Sequence, residues 1–168
     1  MPTKVDRRTV DLSAYPDLVV IYLGMRVNRL AGIKMLLGIG PQISGSAAAQ
    51  PDGLLRHEML LYSLLPVHLG MRQYWRDRDS LMKWTRSDPH REWWKSFLRD
   101  SGGTGFWHES YFRTGGMEAI YDDIPKPTGF AAFAPLVPAR GPMFTAASRS
   151  GSASPPHPPV LSESDLYD

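Results

Sequence analysis

The chain has 168 residues, 42% of them hydrophobic, which suits one domain of ordinary size with tails. Its 19 basic residues outnumber its 17 acidic ones by only two, and no Lys/Arg run interleaves with stacking aromatics, so nucleic acid is not an expected partner. With no cysteine, disulfides, thiolate chemistry, zinc fingers and iron–sulfur clusters are excluded. The N-terminal text "MPTKVDRRTVDLSAYPD" lacks the apolar core of a signal peptide, and no apolar run reaches the roughly 18 residues of a membrane span, so a soluble cytoplasmic protein is expected.

Residues 1–16 are polar, end in Tyr15-Pro16 and read as an N-terminal arm. "DLVVIYLGMRV" follows, β-branched and aromatic, and predicts a buried strand in which Gly24 marks a bulge or a close backbone approach. Asn28 is placed to cap the next segment, "RLAGIKMLLGIGPQI", whose apolar residues at 30, 33, 36, 37, 39 and 43 have helical spacing. Gly38, Gly40 and Pro41 are expected to kink or divide that helix, and "SGSAAAQPDG" reads as a loop. "LLRHEMLLYSLL" and "HLGMRQYWR", separated by Pro66, predict a hairpin.

Asp77 or Asp79 starts a second helical region containing Leu81, Met82 and Trp84, which "SDP" interrupts. Asp88 is then expected to cap a fresh helix with Pro89 at its first position. His90, Trp93, Trp94, Phe97 and Leu98 fall on one stripe of it, and "DSGG" ends it. "GFWHESYFR" predicts a fourth strand, and an extended piece is expected near Ile120-Tyr121. All five tryptophans, from Trp75 to Trp107, lie in one third of the chain, which marks the heart of the fold. The text after about residue 142 is Ser/Pro-rich and poor in apolar residues. The expected division is an arm at 1–16, a domain at 17–141 and a disordered tail at 142–168.

The order βαββαβ predicts an α+β, ferredoxin-like protomer: a four-stranded antiparallel sheet with helices on one face. Val19, Ile21 and Leu23 alternate with Val20 and Tyr22, so both faces of the first strand carry apolar residues. The second face therefore needs a cover, and a second copy of the sheet is the simplest one, giving a homodimer.

In the fourth strand, Trp107, Glu109, Tyr111 and Arg113 share one face, while Phe106, His108, Ser110 and Phe112 share the other. A hydrogen-bonded core histidine with a Glu–Arg pair is the plain reading; an acid/base group aimed into a pocket is the functional one. His57-Glu58 and His108-Glu109 are adjacent pairs that point to opposite faces, and no His-x-His or His-Glu-x-x-His pattern exists, so no metal site is expected. "GIGPQISG" follows a helical pattern, lacks a Lys-Ser/Thr and is not a phosphate loop. Arg26 at the end of the first strand, with Asn28 beyond it, is placed to bind a carboxylate or a carbonyl, or to pair with an acidic neighbour. Tyr74 and Gln73 supply polar handles on opposite faces of the third strand. His90 and Trp94 lie one turn apart on the buried stripe, as core or as cavity wall.

"DLVVIYLGMRVNRL", "RQYWRDRDSLMKW", "DPHREWWKSF", "GFWHESYF" and "EAIYDDIPKPTGFAAF", in this order, resemble a family labelled monooxygenase-like. That family is linked to the phenylacetaldoxime dehydratase group within the dimeric α+β barrel superfamily, and the resemblance covers about residues 17 to 133. It implies a ferredoxin-like protomer paired into a barrel, with a pocket between sheet and helices. Relatives include cofactor-free monooxygenases of polycyclic phenols, haem binders, isomerases and cyclases. The family pattern highlights Gly24, Arg26, Asn28, Gln73, Tyr74, Trp75, His90, Trp94, Trp107, His108, Glu109 and Tyr111. The chain departs from it in the first helical segment, where glycines and "SGSAAAQPDG" replace the usual charged helix.

The first functional expectation is a cofactor-independent enzyme acting on a hydrophobic small molecule of secondary metabolism. The reaction would be cyclisation or isomerisation, including a Diels–Alder-type closure. Arg26, Tyr74 and His108 would be its hydrogen-bond donors, Glu109 would fix a partner, and Asn28, Gln73, His90, Trp94, Trp107 and Tyr111 would bind substrate. The alternatives are a cofactor-free monooxygenase with His108 or His90 as base, a haem-dependent dehydratase with either histidine as axial ligand, and a non-catalytic binding dimer. Which sheet face lines the pocket stays open, because one residue of register reverses every assignment.

Overall fold

The computed structural model describes residues 5–113, 117–122, 129–145, 148–149 and 163–164. In chain order they form β1 (Arg7–Val10), β2 (Val19–Val27), α1 (Ala31–Ala48), β3 (Leu54–Leu64), β4 (Val67–Trp75), α2 (Arg78–Thr85), α3 (His90–Arg99), β5 (Thr104–Phe112), β6 (Tyr121–Asp122) and β7 (Leu136–Pro138), with short 3-10 turns at Gly129–Ala132 and Gly141–Met143. They fall into two compact units, residues 17–112 and the two flanks, 1–16 with 113–168.

In the first unit the sheet order is β3-β4-β2-β5, every neighbouring pair antiparallel. This is the ferredoxin-like arrangement. The two strands expected to form a hairpin do so, and the first strand of the βαββαβ order lies between the third and the fourth. β2 keeps unbroken register with both neighbours through Gly24, which pairs with Gly70 and Trp107, so Gly24 is not a bulge. It marks a close approach: a Cβ there would lie 2.6 Å from the Trp107 indole nitrogen and 2.7 Å from His68 Nε2.

The core forms where Val19 and Ile21 of β2 meet Trp75 of β4 and Leu81 and Trp84 of α2. Trp75 is fully buried, and its ring centroid lies 5.3 Å from that of Trp84. Burial of each such side chain contributes about 1.5–3 kcal/mol. The indole of Trp75 donates to Gln73 Oε1 at 3.1 Å, and Gln73 Nε2 lies 3.1 Å from His57 Nδ1, so the buried amide is partnered at both ends.

The helices depart from the sequence reading at their ends. α1 is one helix that runs through Pro41 and on through "SGSAA" to Ala48, where a kinked or divided helix and a loop were expected. Ile39 and Ile43, on either side of the Gly-Pro step, face Leu23, Met25 and Met71 of the sheet, and this packing overrides weak helix propensity. Leu30 occupies the N-cap, without a side-chain cap bond, in place of Asn28. Asp77 caps α2 as anticipated, accepting the Ser80 backbone N–H at 2.7 Å. At α3 the N-cap is Pro89, and Asp88 pairs with Arg91 at 3.1 Å instead of capping.

In the second unit β1 lies between β6 and β7. Val10, Leu12 and Ala134 form a small core against which Tyr15, Phe130 and Phe133 pack. Thr9 Oγ1 donates to the Ala119 carbonyl at 2.8 Å, and the Arg113 guanidinium donates to the carbonyls of Leu12 and Tyr15. The segment read as an arm thus contains a strand, and the described residues of 113–141, assigned from sequence to the central domain, group with it. A four-residue strand whose partners lie more than 100 positions away leaves no periodic trace in sequence. The disorder expected at 142–168 falls largely outside the described residues. Within that range, Arg149 pairs with Glu118 at 2.8 Å. Among the described residues no helix is long and apolar enough to cross a membrane.

The glycines give opposite expectations. A Cβ on Gly38 meets nothing within 4 Å, so Gly38→Ala should raise stability by about 0.5–1 kcal/mol. Gly24→Ala should lower it by about 1–3 kcal/mol through overpacking against Trp107 and His68. Urea midpoints of the two variants against the parent chain check both signs.

Candidate functional site

Strand alternation sends Ile21 and Leu23 of β2 to the helix side, together with Phe106, His108, Ser110 and Phe112 of β5. Leu81, Met82 and Trp84 of α2 and His90 and Trp94 of α3 stand opposite, and the space between is a cavity of about 610 Å³. Its rim carries Arg78, Arg86 and Arg91, and no Asp or Glu lines it among the described residues.

His90 is held from two sides. Its Nδ1 lies 2.9 Å from the Thr85 carbonyl oxygen, and its ring packs against Trp84 at 4.7 Å between centroids. A carbonyl only accepts, so Nδ1 carries the proton and Nε2 of the neutral ring carries the lone pair. Burial pushes the His90 pKa below the ordinary histidine value; the Thr85 bond acts the other way, and nearby His108 adds to the lowering. The group is therefore a neutral base with a fixed tautomer. His108 Nε2 lies 3.1 Å from Ser110 Oγ, two residues along the same face of β5. Such imidazoles can accept a proton from a bound molecule or coordinate a metal ion. Among the described residues, however, no group of three His, Asp or Glu comes together to hold a metal ion by itself.

The ten residues proposed from sequence divide between the two faces of the sheet. His90, Trp94 and His108 line the cavity. Gln73 sits on the helix side but is fully buried and occupied by Trp75 and His57, so it does not reach the cavity as a substrate contact. Asn28 lies beyond the end of β2, its backbone N–H bonded to the Gly103 carbonyl at 3.0 Å and its side-chain amide beside Gly105. Arg26, Tyr74, Trp107, Glu109 and Tyr111 occupy the opposite face: Tyr74 and Tyr111 both pair with Val20, Glu109 with Tyr22, Trp107 with Gly24, and Arg26 with His68 and Gly105. The expected catalytic set of Arg26, Tyr74, His108 and Glu109 is thus not one site in the protomer. His108 follows Trp107 and precedes Glu109, and neighbours along a strand point apart.

The far face has partners of its own. Arg72 donates to Glu58 at 2.6 and 2.9 Å and to the Tyr22 hydroxyl at 3.0 Å, and its guanidinium lies over the Tyr74 ring at 5.3 Å. The Trp107 indole donates to His68 Nε2 at 2.9 Å beside Tyr62, and the Tyr111 hydroxyl donates to Glu109. Sequence reasoning missed the arginine rim. Arg78 and Arg86 bracket α2 eight positions apart, close to one helical face, and read singly they resemble ordinary surface charges.

The profile of the family described as Monooxygenase af470-like matches residues 18–130. No curated protein matches the chain. Among solved structures, an aldoxime dehydratase is similar with a TM-score of 0.62 at 21% identity, over 82% of this chain and 42% of that one. Another aldoxime dehydratase, in complex with butyraldoxime, is similar with a TM-score of 0.64 at 22% identity, over 86% and 42%. These likenesses concern the fold, and the chain spans less than half the length of either enzyme. SnoaB from Streptomyces nogalater, a cofactor-independent oxygenase, aligns over 56% of this chain with a TM-score of 0.45 and 16% identity.

Burial also lowers the pKa of His57. The unfolded chain binds protons at His57 and His90 more readily than the fold does, so stability is fullest above the ordinary value of 6.5 and falls as pH drops through it. The urea midpoint should be lower at pH 5 than at pH 7.5, and His90→Gln should shrink that difference.

Proposed function

The chain belongs to the Monooxygenase af470-like family, and from that premise we propose that it is an enzyme that oxygenates a hydrophobic small molecule in the cavity between the sheet, α2 and α3. The observation that carries this reading is His90: a neutral imidazole with its Nδ1 proton committed to the Thr85 carbonyl, set in an apolar wall. Its Nε2 takes a proton from an acidic C–H or phenolic O–H of the substrate. The electron-rich anion reduces O2 and combines with it to give a peroxide. Loss of water then leaves a carbonyl, so that CH2 and O2 become C=O and H2O, with one oxygen atom in the product and one in water. His108 and Ser110 supply hydrogen bonds to the developing oxyanion, and Trp84, Trp94 and Phe106 hold the ring system in place.

Two other readings use the same cavity. Cyclisation or isomerisation, a Diels–Alder-type closure included, needs a shaping apolar wall and one or two donors, which Trp94, Phe106 and the His108–Ser110 pair provide. The residues present would also suit haem: Nε2 of His90 would hold its iron, the apolar walls would take the macrocycle and the rim arginines its carboxylates. When bound, it would supply iron-centred dehydration or redox chemistry. A homodimer is part of the proposal, because the far face of the sheet carries half-exposed Tyr62 and Tyr111 that a second copy would cover.

An oxygen electrode with an anthrone as polycyclic phenolic substrate tests the first reading. Oxygen uptake should accompany turnover, and His90→Phe should reduce kcat by about 10²–10⁴-fold. Tyr74→Phe, on the far face, should leave it unchanged. Equal turnover without oxygen points to cyclisation, and a Soret band in the purified protein points to haem.

A further inference from the structure

We propose that the ligand of this cavity is an amphiphile, with an anionic head held at the arginine rim, its reacting ring system in the chamber and an unbranched apolar tail running beneath α1. This deepens the reading above and rests on its assignment of the cavity as the active site.

The chamber does not end at Leu23 and Phe106. It shares those residues, with Trp84, His90 and Trp94, with a narrow space of about 60 Å³ that reaches Ile39 and Ile43 of α1. That space shares Leu23, Met25, Ile39, Ile43 and Met71 with another of about 50 Å³, which ends at Met59 on β3. The line of spaces therefore crosses the sheet from β5 to β3. At about 4.8 Å per strand, three spacings make roughly 14 Å, the length of a medium to long acyl chain. The spaces shrink from about 610 Å³ in the chamber to about 60 and 50 Å³ beyond it, which suits a methylene or polyene chain better than a ring. Beyond His90 the lining carries no polar side chain, so the tail must be apolar throughout.

The polarity of the line is one-sided. The rim at the opposite end bears three guanidinium groups. Asp88 neutralises Arg91, but Arg78 and Arg86 have no carboxylate partner among the described residues, and Arg78 rests over the Phe112 ring at 5.8 Å. An uncompensated pair of guanidiniums at the mouth of an apolar tube selects a carboxylate or phosphate over an alcohol or hydrocarbon. It would also set such a head beside the two histidines, so that the chemistry falls on atoms near the head.

Displacement of bound cis-parinaric acid, followed by fluorescence, tests this with tetradecanoate, tetradecanol and hexanoate. Tetradecanoate should bind about tenfold more tightly than the alcohol, as one charge-assisted hydrogen bond would give. The double variant Arg78→Gln/Arg86→Gln should abolish that preference. Tetradecanoate should also bind better than hexanoate, and Ile43→Trp should weaken the long acid while leaving the short one unchanged. Hexanoate binding then reports that the variant is folded. Equal affinity for acid and alcohol, indifference to chain length, or a chamber already filled by haem overturns the proposal. Preference for the long acid with no oxygen uptake from the anthrone would sink the oxygenase alone; oxygen uptake from the anthrone with equal binding of acid and alcohol would sink the amphiphile alone.

Discussion

The register at the centre of the sheet is the constraint on which the rest depends. β2 pairs with β4 and β5 without interruption, and Gly24, Gly70 and Trp107 meet at one level of that ladder. A Cβ on Gly70 would come within 2.3 Å of the Leu23 carbonyl oxygen, so the backbones approach there as only glycine permits. The space freed on the far face takes the Trp107 indole and His68, joined by a hydrogen bond. With Trp107 fixed on that face, His108 has only the helix side left to it. A slip of one residue would bring Glu109 into the cavity and put His108 among the tyrosines.

Two kinds of polar group emerge from this arrangement, and they differ in what remains for a ligand. On the far face Arg72, Glu58, Tyr22, Glu109 and Tyr111 are engaged with one another. On the cavity side His90 has one nitrogen committed and one uncommitted lone pair, and the rim arginines outnumber their acidic partners. Unsatisfied capacity in a cavity marks a binding site better than polarity does. By that measure the helix side is the better candidate for the site, and the polar groups of the far face are engaged with one another.

The four strands of the larger sheet and their order were legible in the sequence, because a period of two in β-branched and aromatic residues survives without knowledge of the partners. α1 was legible only in its apolar spacing. Its glycines and proline describe a poor helix in isolation, and what holds them is Ile39 and Ile43 packing on the sheet, a tertiary effect. The strand Arg7–Val10 was illegible for a related reason: its pairing partners come from the other end of the chain. Alternation divided "WHES" into two chemistries correctly but did not say which one faces the helices. The cavity-lining aromatics and His90 stood out by type and spacing. The arginine rim did not, because a surface charge becomes informative only when its missing counter-charge is known.

α1 also has a thermodynamic character of its own. Gly38, Gly40, Gly45 and Pro41 together cost roughly 6 kcal/mol of helix propensity relative to alanine. Their compensation comes from one side, where Ile39 and Ile43 touch the apolar line beneath them. The helix is therefore linked to whatever fills that line: an occupant that adds contact to the two isoleucines stabilises α1 by mass action, and emptying it withdraws that support. Occupancy of that line and helicity of α1 above it would then be two readings of one equilibrium.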